Sequence, residues 1–170
     1  MQLYSPKSIA NYFIERAKAS GEQLNPMKLQ KLVYYAAGWF AGYTGKPLLN
    51  EAPQAWQYGP VFPSLYQAFK EFGSRPVSKK ASTFDAQRFD FVEASEPEDS
   101  AIRQFLDNVW NSYRRYTDIA LSEMSHAAGS PWDLTWRRSD GIRNVSIPFE
   151  LMRDHFRLAA EKAKAGGVPA

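Results

Sequence analysis

Two histidines, His126 and His155, are the side chains best suited to acid–base chemistry or metal binding near neutral pH. A zinc site needs three or four ligands from histidine, cysteine or carboxylate, and this chain has no cysteine. A hydrolase triad would need a serine and a carboxylate beside His126, and the sequence indicates no such pair. We therefore predict no catalytic residue, no metal site, no cofactor and no enzymatic activity.

Motifs that bind phosphate or activate a nucleophile are also missing from the sequence. It contains no Gly-x-Ser-x-Gly motif, no phosphate-binding glycine loop and no paired-glycine nucleotide fingerprint. His126 fits better at the C-terminal end of a short helix, where an imidazole can bond the free carbonyl groups. The pattern therefore favours recognition over catalysis.

The stretch from Trp56 to Phe69, WQYGPVFPSLYQAF, combines two prolines and a glycine with five aromatic rings. One interpretation is a structural elbow, in which Gly59 takes a positive φ and the residues up to Val61 lead into a helix. The other is an exposed aromatic surface for a protein partner. We favour the elbow, because rigid Gly-Pro corners are common structural punctuation. Any exposed ring there would belong to a partner-binding face, and the candidates are Trp56, Tyr58, Pro60, Phe62 and Tyr66.

A second stretch, LSEMSHAAGSPWDLTWRR, has the spacing of a helix-turn-helix. Its second helix, however, starts with Pro131 and carries two tryptophans, whereas a DNA-recognition helix needs polar, base-reading side chains at its start. We therefore expect Trp132 and Trp136 to anchor this corner to the core and Asp133 to cap the turn. Four basic residues are further candidates for partner contacts: Lys28, Lys31, Arg137 and Arg138.

Helix signals recur along the chain, and these helices must position the candidate residues. A capping serine or asparagine followed by proline occurs at Ser5, Asn25 and Ser130. The helix after Asn25, at about 25–44, is apolar on nearly all sides, which is typical of a helix buried in the middle of its domain. Its expected inward stripe is Leu29, Leu32, Val33, Ala36, Phe40 and Tyr43.

Four further helices are predicted from apolar periodicity and capping residues. They run from about 61 or 63 to 72, from near 96, from 117 to 125, and onward from 148. The first of them is expected to turn inward Leu65, Tyr66, Phe69 and Phe72. A small β element is expected near 47–57, and weak alternation at Phe89 and Phe91 allows a short strand at 89–92. Elsewhere in 74–95 the sequence predicts no regular structure.

The composition is that of a globular protein with its own core. The chain has 170 residues, of which 44% are hydrophobic and 23% charged, and its net charge is +3. The aromatic fraction is high at 15%, and tyrosine and tryptophan are also the rings that interfaces use. We see no secretory leader and no membrane-length apolar run, so we expect a cytoplasmic protein without a membrane partner. The predicted fold class is mainly α: a single compact helical domain around the buried central helix.

Several segments together resemble the SocA-like antitoxin family, whose domain is called Panacea. They are MKLQKLVYYAAGWFAGYTGKPLLNE, AWQYGPVFPSLYQAFKEFG and LSEMSHAAGSPWDLTW, preceded by SIANYFIERA. The family's recurring features are a Lys-Leu-x-Lys-Leu-x-Tyr central helix, a Gly-Pro-Val corner, and a Ser/Gly-x-Pro-Trp turn after a short helix ending in histidine. In this sequence these features fall on 28–34, on 59–61, and on His126 with 130–132.

The resemblance implies a cytoplasmic bacterial or phage antitoxin that binds a cognate protein toxin directly and neutralises it without an active site. It implies one Panacea-like domain at 1–165, followed by a flexible tail at 166–170. Two alternatives stay open: an adaptor that delivers a toxin to an ATP-dependent protease, and a nucleic-acid-binding regulatory module. The net charge is too balanced to argue for a nucleic-acid partner by itself, and we do not expect one. A homo- or hetero-oligomer is compatible with each of these functions.

Overall fold

The architecture is mainly helical with two small sheets, as the sequence predicted. The computed structural model describes residues 1–166. In that range the elements are α1 (Pro6–Ala19), α2 (Pro26–Thr44), β1 (Gln54–Trp56), β2 (Gly59–Val61), α3 (Pro63–Phe69), β3 (Ser82–Asp85), β4 (Asp90–Glu93), α4 (Ser100–Tyr113), α5 (Asp118–Ser125), α6 (Pro131–Arg138), β5 (Val145–Ser146) and α7 (Phe149–Ala165). A 3-10 turn at Lys70–Phe72 continues α3.

Side-chain caps explain where three of the helices begin. The Ser5 hydroxyl accepts a hydrogen bond of 3.1 Å from the Ser8 amide at the start of α1. The Asn25 side chain accepts one of 2.9 Å from the Lys28 amide before α2, and Ser130 caps α6 in the same way. Each of these helices has proline in its first turn, where the missing amide hydrogen costs nothing. The predicted helix starts at these three positions are confirmed.

The second helix, α2, lies at the centre of the core, as its sequence predicted. Leu29, Leu32, Val33 and Ala36 are fully buried. Helices α1, α3, α4, α5 and α7 all pack against it. Tyr43, expected on the same inward stripe, is instead 49% exposed.

The seam between α2 and α7 depends on two glycines of α2. A Cβ on Gly42 would lie 2.7 Å from the backbone carbonyl carbon of Phe156, and one on Gly38 would overlap the edge of the Phe156 ring. With no side chain at these positions, α7 approaches α2 closely and the Phe156 ring packs edge-on against Tyr34 and Trp39. The two helices are thereby held in close contact at Phe156.

Three short strands form an antiparallel sheet in the order β2-β1-β5. The expected β element near 47–57 is therefore present, but its strands begin only at Gln54. Residues 59–61, which we expected to lead directly into a helix, instead form the edge strand β2, with Trp56 paired to Gly59. Pro60 is tolerated there because an edge strand has one row of backbone amides without a strand partner.

A second antiparallel hairpin, β3 with β4, occupies the region that the sequence left undetermined. The short strand expected at 89–92 is found as β4, and it pairs with β3, which the sequence did not predict. Phe84 lies directly opposite Phe91 in this register. The strand β3 was missed because both of its faces are largely exposed, which removes the alternation of apolar and polar residues that marks a strand.

Two further predictions need correction. Tyr66, expected to face the core, is 44% exposed, because its ring packs on Trp56 at the surface. Helix α4 begins at Ser100, later than the expected start near 96. The Asp99 carboxylate accepts hydrogen bonds from the amides of Ala101 and Ile102 and so fixes the first turn of α4.

Among residues 1–166, no helix is both long and apolar enough to cross a membrane. The tail predicted at 166–170 begins at Gly166, which caps the end of α7. Its residues 167–170 lie outside the described part of the chain.

Candidate partner-binding site

An open groove lies between the first turns of α2, the β1–β2 turn and α3. Its volume is about 460 Å³, within the range of ordinary ligand-binding clefts. Most of its lining is apolar or aromatic and includes Met27, Leu65 and Val61. Its charged side chains, among the described residues, are Lys31 and Lys70, and no acidic residue lines it. We call this feature the aromatic groove.

Three predicted partner-binding residues, Trp56, Tyr58 and Tyr66, line the aromatic groove. Tyr58 is 63% exposed, and Tyr66 is also exposed. The half-buried Trp56 ring packs edge-on against Tyr66 with centroids 4.9 Å apart, and its Nε1 donates a hydrogen bond of 2.9 Å to Gln54 Oε1. These contacts hold the Trp56 and Tyr66 rings in place without covering them, which reduces the entropy that a partner would have to remove on binding.

Lys31 is among the lining residues of the aromatic groove but is almost completely buried. Its side chain is only 2% exposed, and its Nζ donates a hydrogen bond of 2.9 Å to the carbonyl oxygen of Pro60. No carboxylate within residues 1–166 lies within salt-bridge distance of it. Burial therefore acts unopposed and lowers the pKa of Lys31 to about 7.

Gly59 leaves the space that the Lys31 ammonium occupies. Its φ is +105°, and a Cβ there would lie 2.8 Å from Lys31 Nζ and 3.0 Å from Ser125 Oγ. The neighbouring turn is held from α5, because the Ser122 hydroxyl donates a hydrogen bond of 2.8 Å to the Tyr58 carbonyl oxygen. Gly59 is therefore required both by its backbone conformation and by the packing around it.

Gln30 fixes the chain where β2 leads into α3. Its side-chain oxygen accepts a hydrogen bond of 2.9 Å from the Phe62 amide, and its side-chain nitrogen donates one of 3.0 Å to the Phe62 carbonyl. Phe62 is consequently fully buried, and Pro60 is buried beside it. Both were candidates for partner contact, and the structure places both, with Lys31, inside the protein.

The other basic candidates lie away from the groove lining. Lys28, one turn before Lys31, is half-buried and its Nζ donates a hydrogen bond of 2.6 Å to the Arg114 carbonyl. Burial lowers the pKa of Lys28, and the nearby carboxylates of Glu22 and Asp118 oppose the effect. The remaining two, Arg137 and Arg138, are exposed at the end of α6.

The corner between α5 and α6 packs into the core through Trp132 and Asp133. Trp136, which was also expected to anchor it, is instead 40% exposed and stacks on the outer side of Trp132. Trp132 is buried and its Nε1 donates a hydrogen bond of 2.6 Å to the Trp56 carbonyl. The Asp133 carboxylate accepts from the Gly129 amide at 2.8 Å and from Arg137 Nε at 3.0 Å, so the pKa of Asp133 is lowered. Because the first turn of α6 is buried, the base-reading positions of a recognition helix are not available at its start.

His126 caps the end of α5 through its backbone amide, which donates to the Ser122 carbonyl at 3.2 Å. Its ring packs edge-on against Trp132, and its Nδ1 is buried without a hydrogen-bond partner in the described chain. The imidazole therefore does not bond a helix carbonyl through Nδ1, in contrast to the expectation from the sequence. Pro131 lies in the same buried corner. No three potential metal ligands come together anywhere in 1–166.

A second exposed aromatic surface lies on the β3–β4 hairpin. Phe84, Phe89 and Phe91 are 48%, 84% and 70% exposed. The ring of Phe84 contacts those of Phe89 and Phe91, each with centroids 5.5 Å apart. We call these three residues the phenylalanine hairpin. The sequence signal that could have found it is the local density of phenylalanine in a segment with no helical period.

The base of this hairpin is fixed to α1 by a fully buried asparagine. The Asn11 side chain donates hydrogen bonds of 2.9 Å to the carbonyls of Ala81 and Ala94 and accepts one of 2.7 Å from the Ala81 amide. Lys7 adds a hydrogen bond to the Ser82 carbonyl. The exposed rings thus lie on a segment whose base is rigidly attached to the core.

Comparisons with known proteins identify the family of this chain. A family model described as Antitoxin SocA-like, Panacea domain, matches residues 29–133. The antitoxin SocA of Caulobacter vibrioides (strain NA1000 / CB15N) is 32% identical to this chain over 160 residues, which are 92% of this chain and 85% of the relative. The chain belongs to the SocA-like antitoxin family. No solved structure matches it.

The match to the SocA-like antitoxin family includes most of both exposed surfaces. The β1–β2 turn, α3, the phenylalanine hairpin and the first turn of α6 all fall within 29–133. The likeness to the SocA antitoxin extends over nearly the whole chain. The family resemblance that the sequence motifs indicated is therefore confirmed.

Proposed function

We propose that this chain is an antitoxin that neutralises a cognate protein toxin by binding it directly, with the aromatic groove as the main contact. Membership of the SocA-like antitoxin family supports the role, and the relative from Caulobacter is named an antitoxin. The observation that supports this groove as the contact surface is the exposure of Tyr58 and Tyr66 beside its largely apolar lining. Rigid tyrosine and tryptophan side chains around a pocket are the usual centre of a protein interface.

The phenylalanine hairpin is the second surface that we assign to partner binding. Its three exposed rings contribute little to the core, and clustered exposed apolar side chains usually mark an interaction site. Binding of this kind requires no chemical step from the antitoxin. The proposed function therefore needs no catalytic residue and no cofactor.

Co-purification with the protein encoded by the adjacent gene tests direct binding. We expect the tagged chain to retain the untagged toxin through size-exclusion chromatography as one stable complex. Failure to form any complex, although the chain still suppresses toxicity, would contradict neutralisation by direct binding.

Surface variants then locate the contact. We expect the double variant Tyr58→Ser/Tyr66→Ser to weaken toxin binding by roughly tenfold or more, since aromatic residues at the centre of an interface dominate its affinity. Tyr43→Ser is the matched control, because Tyr43 is similarly exposed but does not line the groove. Equal affinity for the groove variant and the control, measured by calorimetry, would exclude the aromatic groove as the main contact.

The presence of two exposed aromatic surfaces on different elements favours one second candidate, a proteolytic adaptor. An adaptor must hold a toxin with one surface and an ATP-dependent protease with another, and the groove and the hairpin share no residue. The half-life of the toxin during co-expression distinguishes the two functions. A toxin that stays intact while growth is restored supports neutralisation alone, whereas rapid loss of toxin that depends on Phe89 and Phe91 supports the adaptor.

A further inference from the structure

Lys31 is a buried cation for which the described chain supplies no anion. Only 2% of this residue is exposed to solvent. An ammonium group carries three hydrogen-bond donors, and one of them is used, by the carbonyl oxygen of Pro60 at 2.9 Å. Buried charges in proteins are normally paired, because removing an unpaired charge from water is costly. We therefore expect the anion that pairs with this buried lysine to come from another molecule.

The aromatic groove is the open surface feature whose lining includes this lysine. Lys31 lines the groove, and so does Lys70, while the rest of the lining is uncharged. The electrostatic character of the groove is thus positive, and its walls are apolar. A ligand that fits both properties carries a carboxylate among apolar groups.

We propose that the aromatic groove binds a glutamate or aspartate side chain of the toxin, flanked by apolar residues, and that its carboxylate pairs with Lys31. This inference rests on the proposed function only in naming the toxin as the source of the acidic segment. The apolar residues on either side would contact Trp56, Tyr58 and Tyr66. The proposed ligand is a side-chain carboxylate and not the carboxylate of a free C-terminus.

The same helix provides a matched control for Lys31. Lys28 precedes it by one turn, is also partly buried and also donates a hydrogen bond to a backbone carbonyl, that of Arg114. Lys28, however, is not part of the groove lining. Replacing either lysine by methionine removes one charge from α2 and keeps an unbranched side chain of similar length, so the two variants differ mainly in their access to the groove.

A displayed library of short random peptides, joined to the phage coat at their C-termini, tests the ligand chemistry without knowledge of the toxin. We expect selection on the wild-type chain and on Lys28→Met to enrich an acidic residue at one position between apolar ones. Selection on Lys31→Met should lose the acidic residue and retain the apolar ones. Enrichment without an acidic position, or the same acidic preference with Lys31→Met, would overturn the proposal.

The pH dependence of binding, measured with the selected peptide as the probe, is a second test of the pairing between Lys31 and a carboxylate. Because burial lowers the pKa of the unoccupied Lys31 to about 7, binding a carboxylate requires uptake of a proton at higher pH. We expect affinity to fall roughly tenfold from about pH 6 to about pH 8 in wild type and to stay flat in Lys31→Met. The other titratable groups near the groove are Tyr58, Tyr66 and Lys70 in its lining and His126 beside Ser125. A pH dependence that persists in Lys31→Met would contradict the assignment to Lys31.

Toxin binding separates a failure of this inference from a failure of the proposed function. We expect Lys31→Met to weaken the complex by roughly 30- to 1,000-fold, because the toxin carboxylate would be buried unpaired, and Lys28→Met to leave it within about threefold of wild type. Circular dichroism and a thermal melt establish that both variants are folded. Tight toxin binding that is unchanged by Lys31→Met would refute the acidic contact and leave the antitoxin function intact.

Discussion

At the scale of single residues, the buried amine of Lys31 opposes folding of the isolated chain. Its pKa is lowered from 10.5 to about 7 by burial alone, so the unfolded chain binds a proton that the folded chain releases between these two values. Stability therefore rises with pH across this window. Below about pH 7 the folded protein carries the full cost of the buried charge.

We predict that the free energy of unfolding of wild type increases by about 2 kcal/mol relative to Lys31→Met between pH 7 and pH 9. The comparison with Lys31→Met cancels the titration of groups that the two proteins share. The measurement is urea unfolding at each pH, and stopping at pH 9 keeps the tyrosines protonated. A difference that does not change with pH would mean that Lys31 is not desolvated in solution.

Gly59 gives a second prediction at this scale. Gly59→Ala should destabilise the chain by about 2–4 kcal/mol, because it adds a Cβ at 2.8 Å from Lys31 Nζ to the strain of a positive φ. Gly129→Ala is the control, since Gly129 also has a positive φ but a Cβ added there would meet nothing within 4 Å. That change should cost about 1 kcal/mol. Thermal melts that show equal losses for the two variants would exclude the contact with Lys31.

At the scale of elements, the phenylalanine hairpin is held by its base and not by its rings. We predict that Asn11→Ala lowers stability by about 2–4 kcal/mol, because it leaves buried backbone groups of Ala81 and Ala94 without partners. Hydrogen exchange should become faster in residues 81–94. Phe89→Ser is the control that leaves this base intact, and it should change stability by less than about 0.5 kcal/mol. Unchanged exchange in Asn11→Ala would show that other contacts hold the hairpin.

The close packing of α2 against α7 determines whether replacing a glycine of α2 by alanine raises or lowers stability. In an open helix, glycine to alanine stabilises by about 0.5–1 kcal/mol. Gly42→Ala should instead destabilise by about 2 kcal/mol or more, because its Cβ would lie 2.7 Å from the Phe156 backbone, which cannot rotate away. Urea unfolding measures the change. An increase in stability would mean that α7 can move away from α2 at little cost.

The sequence predicted the helices better than the strands for a physical reason. Capping pairs such as Asn25-Pro26 act locally, and the apolar run of α2 identifies a buried helix without reference to its partners. The strand β2 and the hairpin depend on contacts distant in sequence, such as Gln30 with Phe62 and Asn11 with Ala81. No local pattern reports such contacts. The spacing of Gly38 and Gly42 was visible in the sequence, but its meaning required the position of α7.

The candidate site was predictable only in part, for the same reason. The rings of Trp56, Tyr58 and Tyr66 were identified from composition, and the structure brings them to one groove. Their burial could not be read from residue type, so the candidates also included Phe62, which is fully buried. Lys31 was a candidate for partner contact, and its burial in the structure could not be read from the sequence.

At the scale of the whole molecule, the fold presents two exposed aromatic surfaces on a rigid helical core. Such an arrangement suits a protein that binds a partner without changing shape, because little entropy is lost on association. The aromatic groove supplies a pocket with positive charge, and the phenylalanine hairpin supplies a purely apolar contact. These are the two surfaces that we propose as contacts for a toxin.

Growth rescue, scored beside complex formation for a small set of variants, tests direct neutralisation most directly. Cells that express the toxin would receive wild type, Tyr58→Ser/Tyr66→Ser, or the control Tyr43→Ser, and the affinity of each purified protein for the toxin would be measured in parallel. We predict that wild type and the control restore growth and bind the toxin. The groove variant should fail to restore growth, and its complex with the toxin should be lost. Full rescue by a groove variant that no longer binds the toxin would contradict neutralisation by direct binding.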